Sequence, residues 1–183
     1  MKRDFYSASV ADFRNTVPDQ ILGQLTANNP FTLEQTQRDA WLEEIDILQK
    51  ILSDREGFIY FEYAIPRMGK RIDVVLIIGP AIFVLEFKVG EKDFTTAGLD
   101  QVCDYALDLK NFHETSYSRF IVPILIATNA RSSVQAICET PRADKLLYPI
   151  QCSTDSLARV MNDVLAYAEG DPNIDPKEWQ QGR

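Results

Sequence analysis

The sequence predicts an α/β domain in which a helix, three strands, a second helix and a further strand follow one another. Three observations carry this expectation. Residues 32–52 and 98–113 repeat apolar side chains at helical spacing, residues 58–88 contain three strand-like runs joined by short turns, and residues 119–128 form an apolar run of strand length. With 183 residues, 45% of them hydrophobic, the chain is long enough for one well-buried core and short for two.

The opening, residues 9–27, reads as helical with an interruption at Pro18. Thr32-Leu33-Glu34-Gln35 has the pattern of a capping box, with Thr32 as N-cap, and a long helix to about Leu52 is expected after it. Trp41, Ile45, Leu48 and Leu52 form its apolar stripe. At about 100° per residue, Glu44 lies roughly 60° from Trp41 and faces inward, while Glu43 points away. The runs at 58–65, 71–78 and 82–88 are joined by PRMGK and GPA, so an antiparallel meander follows. After the helix at 98–113 and the strand at 119–128 come a short helix near SSVQAI, a strand at 145–152 and a last helix at 154–168. Residues 1–168 are thus read as the domain. Residues 169–183, rich in Pro, Asp and Gln, read as a linker or tail, as expected of a fragment of a longer chain or of a stand-alone relative.

A formal net charge of −8 argues against nucleic-acid binding by general electrostatic attraction, because phosphate binding rests on Lys and Arg. Local contact is still allowed, since Arg67, Lys70, Arg71, Lys88 and Lys92 cluster around the meander. Cys103, Cys138 and Cys152 are odd in number and widely spaced, which suits a reducing, cytoplasmic setting rather than a disulfide framework or a zinc site. No signal-peptide pattern and no membrane-length apolar run are present.

Asp73, Glu86 and Lys88 stand out because they interrupt strands otherwise dressed for a core. An unpartnered carboxylate in such a place costs on the order of several kcal/mol, so Asp73 and Glu86 should be paired, hydrogen-bonded or bound to a cation. Two acids from adjacent strands, with a backbone carbonyl, make the oxygen-rich environment that Mg²⁺ or Mn²⁺ prefers. Ordinary ion pairs, Glu86 with Lys88 and Asp73 with Arg71, are the plainer alternative. On the second helix Gln101 and Tyr105 lie one turn apart, where an amide, a hydroxyl and a ring suit contacts to a phosphate, a sugar or a base.

Glu44 on a helix, Asp73 on a strand, Glu86-Phe87-Lys88 on the next strand and Gln101-Val102-Cys103-Asp104-Tyr105 on the following helix resemble the PD-(D/E)XK nuclease superfamily, the restriction-endonuclease-like fold, in its QxxxY exonuclease branch. Residues 5–180 also resemble the N-terminal region of bacterial proteins in which such a domain precedes a Schlafen-group-3-like DNA/RNA helicase domain. One departure is that Ile72 stands where the family has Pro. The resemblance implies an αβββαβ core with a mixed central sheet flanked by helices. It also implies Mg²⁺ or Mn²⁺ held by Asp73, Glu86 and the carbonyl of Phe87, with Glu44 adding a direct or water-mediated contact. Lys88 would stabilise charge on the phosphate, and Gln101, Tyr105, Arg67, Lys70 and Arg71 would contact nucleic acid. The implied activity is phosphodiester hydrolysis, most plausibly on DNA. A nuclease-like binding or docking module for a helicase domain, in cis or in trans, is the alternative. No GxxxxGK[ST] loop occurs in this chain.

Other candidates have structural readings. His113, the only histidine, is expected to complement the dipole at the end of the second helix. Cys103 and Met161 read as packing residues, and Met68 falls in a turn.

Overall fold

The computed structural model describes residues 3–131 and 135–183 of the protein. Six strands form one sheet in sequence order: β1 (Tyr6–Ser9), β2 (Phe58–Ala64), β3 (Arg71–Ile78), β4 (Ala81–Lys88), β5 (Phe120–Ala127) and β6 (Ile150–Cys152). β1 to β4 are antiparallel to their neighbours, whereas β4, β5 and β6 run parallel, so the sheet is mixed. The helices are α1 (Val10–Asn15), α2 (Pro18–Asn28), α3 (Gln35–Ile51), α4 (Thr96–Phe112), α5 (Leu157–Tyr167) and α6 (Pro176–Gln180). The expected order of helix, three strands, helix and strand holds from α3 to β5.

Parallel pairing of β4 with β5 requires a crossover, and α4 supplies it. Both strands are covered on both faces, which explains why AIFVLEF and FIVPILIA read as almost continuous apolar runs. Apolar residues of α1, α2, α3 and α5 pack with Ile59, Val74, Leu76 and Phe83 on one face of the sheet. Val102, Ala106 and Leu109 of α4 pack with Val75, Val84 and Leu125 on the other.

One irregularity positions the site. Phe61 and Tyr63 are two residues apart in β2 and should share a face, yet Phe61 lies in the first core and Tyr63 in the second. Between them Glu62 adopts a left-handed backbone, with φ of 52°. In β3 Val74 and Ile72 divide in the same way, so the register survives as Phe61↔Val74 and Tyr63↔Ile72. Glu62 and Asp73 therefore face each other in register at a paired break in alternation, of the kind that re-aims side chains. Just there the β3–β4 ladder stops, its last pair being Val74↔Leu85.

Several sequence expectations need correction. The helical opening expected at 9–27 is present as α1 and α2, broken before Pro18, and an edge strand not expected from the sequence, Tyr6–Ser9, precedes it and pairs with β2. Thr32 does not cap α3. The N-cap is Glu34, without a side-chain cap bond, and Gln35 Nε2 donates instead to Asp39 Oδ1 one turn ahead at 2.7 Å, a charge-assisted bond that wins over the reach back. Of the helix expected near SSVQAI, residues 132–134 lie outside the described residues and residues 135–137 are irregular. The strand expected at 145–152 is reduced to Ile150–Cys152, with Leu146 bridging Ile121 separately, because Pro149 between them has no N–H to continue the ladder. The supposed linker folds back: α6 lies within it, and Trp179 is 1% exposed in the second core. Asp175 caps α6 by accepting from Lys177 N and Glu178 N, and Ile174 N donates to Gly79 O at 2.9 Å.

Candidate active site

Where β3 and β4 part, the Asp73 side chain fills the gap left by the backbone. Asp73 Oδ2 accepts from Phe87 N at 2.9 Å, the bond that a strand carbonyl would otherwise take. The expected Asp73–Arg71 ion pair is not formed: Arg71 donates to Glu62 O at 2.6 Å and sits over the Phe5 ring at 4.2 Å. The other half of the plainer reading does hold, since Lys88 Nζ lies 3.0 Å from Glu86 Oε1.

Glu86 is 4% exposed, and its second oxygen, Oε2, is buried with no N–H or hydroxyl partner. Its acidic neighbour is Asp73. Burial pushes the Asp73 carboxyl well above the usual carboxylate range, and the adjacent charge of Glu86 pushes it the same way. Burial raises Glu86 too, while Lys88 pulls it back down. Glu44 on α3 is 5% exposed, and desolvation first, then the charges of Asp73, Glu62 and Glu86, hold it well above the ordinary range. Two adjacent buried carboxyl groups cannot both be ionised cheaply, so the pair holds either a proton or a cation.

These residues open into a cleft of about 540 Å³. Apart from Lys88, every charged side chain lining it is acidic: Asp39, Glu43, Glu44, Asp73, Glu86 and Glu91. Among the described residues, no group of three or more His, Cys, Asp or Glu is close enough to form a ready-made metal cage. The structure thus brings Asp73 and Glu86 together and turns Glu44 toward them, without closing three acids around one point.

Gln101 and Tyr105 belong to the site, but not as an open binding surface. Lys88 Nζ donates to Gln101 Oε1 at 3.1 Å, and Gln101 Nε2 donates to Tyr105 OH at 2.9 Å. Both ends of the amide are engaged, and a line of hydrogen bonds runs from α4 through Lys88 to Glu86. Lys70 is paired with Asp108 at 2.9 Å and Arg71 is held as described, so neither extends freely as a phosphate clamp. Arg67 is exposed on the β2–β3 turn, in left-handed backbone with φ of 66°.

Sequence reasoning passed over Glu62. Trp41 Nε1 donates to its Oε1 at 3.0 Å, and burial raises its carboxyl. The signal was available: Glu62 interrupts FIYFEYAI as Asp73 and Glu86 interrupt their strands. His113 also differs from expectation. It is 1% exposed, burial lowers it to about 4, and it is therefore a neutral ring bonded to Tyr63 OH and Ser116 Oγ rather than a cation at a helix end.

No family model matches the chain, and no curated protein matches it. Among solved structures it is similar to protein VC1899 from Vibrio cholerae, with 11% identity and a TM-score of 0.36. The match covers 88% of this chain and 46% of that one, so the chain spans less than half the length of that protein. No described helix is long and apolar enough to cross a membrane.

Proposed function

We propose that the protein is a metal-dependent nuclease with a restriction-endonuclease-like core, hydrolysing phosphodiester bonds in DNA. The observation that supports this best is the buried Asp73–Glu86 pair, joined by Lys88 at 3.0 Å, in the wall of an open cleft. Glu86 Oε2, which no N–H or hydroxyl reaches, and the mutual repulsion of the two acids suit a hard divalent cation such as Mg²⁺ or Mn²⁺. Asp73, Glu86 and the Phe87 carbonyl would hold it, with Glu44 contributing through water. When bound, such a cation lowers the pKa of a water and neutralises charge on the phosphate.

The chain's own groups do the positioning. Phe87 N fixes the Asp73 carboxylate. Tyr105 holds Gln101, and Gln101 and Glu86 each accept one Lys88 N–H, so two of the three ammonium N–H groups are occupied and one is left for a phosphate oxygen, where it stabilises developing negative charge. The acidic lining repels a bare phosphate, which makes binding at this end of the cleft depend on divalent ions. By the same resemblance, a helicase domain in cis or in trans is the proposed partner.

The test is incubation with single- and double-stranded DNA in Mg²⁺ or Mn²⁺. The wild type should cleave, and Asp73→Ala and Lys88→Ala should each lose about 10²-fold or more. Cleavage that persists in both variants would overturn the assignment. The second reading, a nuclease-like docking module with weak or no cleavage, draws on the net charge of −8, which works against general attraction of a polyanion. Calorimetric titration with Mn²⁺ separates the two, because only the nuclease needs a bound divalent ion.

A further inference from the structure

The acid cleft adjoins a second cleft, and that one a third. Thr36, Gln37 and Ala40, on the first turns of α3, line both it and a cleft of about 550 Å³ that holds Phe31 and Trp41. Arg71 in turn lines both this middle cleft and a third, of about 470 Å³, whose charged residues are Arg3, Arg67, Arg71 and Arg183. We infer that these adjoining clefts form a groove for one strand of nucleic acid, with Phe31 as a base-stacking platform and the arginine cleft as a phosphate subsite.

Charge comes first. In a chain of net charge −8, four arginines line one cleft together with Ala64, Ile65 and Pro66 and no acid. Arg3 donates through Nη1 to Gly182 O, and Arg71 is held by Glu62 O and the Phe5 ring. These contacts hold Arg3 and Arg71 in the wall of the cleft, Arg71 also facing the Glu62 carboxylate, and the exposed Arg67 and Arg183 are the guanidinium groups left for an anion. Arg67 points from the exposed turn, and a group of like charges with no acid in its lining is suited to an anion, with Arg the residue that matches phosphate geometry.

Phe31 supplies the second observation. It is 79% exposed, the most exposed large apolar side chain among the described residues, and it lines the cleft between the arginine end and the acid end. A phenyl ring on such a path can stack on any base, because every base has a π-face. Stacking decides the form of the substrate: the bases of a double helix are already stacked on one another, so an exposed phenyl ring selects the unpaired bases of a single strand.

This groove rests on the nuclease reading for the purpose of its acid end, but its test does not. Fluorescence anisotropy of a fluorescein-labelled oligothymidylate is measured in EDTA, where no metal-dependent cleavage occurs, for the wild type, Phe31→Ala and Arg67→Ala. Both positions are exposed, and unchanged melting temperatures confirm that the variants fold. Phe31→Ala should weaken binding about tenfold, as for one lost base stack, and Arg67→Ala should lower the salt slope by about one. The same sequence as a duplex should bind more weakly. Wild-type affinity in both variants, no binding by the wild type, equal affinity for the duplex, or equal displacement by polyglutamate would each overturn the groove. If the strand binds as expected and no cleavage occurs in Mn²⁺, the nuclease reading alone fails. If cleavage occurs and Phe31 and Arg67 are silent, the groove alone fails.

Discussion

Truncating Trp179 to alanine tests whether residues 169–183 belong to the folded unit. The indole is 1% exposed and packs on Tyr60, Tyr63 and His113, with ring centroids 5.1, 5.1 and 4.6 Å away. Its N–H donates to Ser116 Oγ at 2.8 Å, and its backbone carbonyl accepts from Thr115 Oγ1 at 2.8 Å. Replacing a buried Trp by Ala costs about 3–5 kcal/mol, through lost contacts and the cavity left behind. The backbone bond to Thr115 survives, so the loss belongs to the side chain. For a chain of this length a loss of that size lowers the melting temperature by roughly 6–20 °C, at about 2–4 °C per kcal/mol. Trp179→Phe keeps most of the ring and removes the donor, leaving Ser116 Oγ its bond to His113, and should cost about 1 kcal/mol for the hydrogen bond. Urea denaturation followed by far-UV circular dichroism reads both variants against the wild type. A Trp179→Ala midpoint equivalent to within about 0.5 kcal/mol of wild type, the usual range for surface changes, would mean that the indole is not docked and that the segment is a tail after all.

Two further outcomes concern pH. His113 titrates at about 4 when folded against an ordinary 6.5, so its stabilising effect is complete above the unfolded value and is lost as pH falls between the two. Denaturant midpoints over this window should show wild type losing about 3 kcal/mol more than His113→Gln, and parallel curves would refute a buried neutral ring. Glu44 has the opposite sign: its raised carboxyl favours the folded state at low pH, and that stability is lost as pH rises through the folded pKa. Glu44→Gln should therefore be more stable than wild type at neutral pH, by about 0.5–2 kcal/mol as for other relieved functional positions, and should lose this gain on acidification. A pH-independent difference in denaturant midpoint would show that burial and repulsion at Glu44 are not the cause.

Local pattern was enough for much of this protein. The repeats that predicted α3, β2, β3, β4, α4 and β5 are properties of short stretches of backbone, and a period of 3.6 or 2 shows which side chains share a face before any partner is known. The same logic identified Asp73, Glu86 and Lys88 as misfits in apolar strands and turned Glu44 inward. What those misfits do was not local. That Asp73 takes the Phe87 N–H depends on where the β3–β4 ladder ends, and that Lys88 is held by Gln101 depends on how α4 crosses from β4 to β5. Glu62 enters the site only because its left-handed backbone turns it toward Trp41. The segment 169–183 looked like a linker by composition, yet one Trp with a waiting aromatic pocket was enough to dock it. Alternation along a strand assigns a side chain to a face, but desolvation, charge coupling and hydrogen-bond partners come from chain segments tens of residues away, and only the tertiary structure decides which of them arrive.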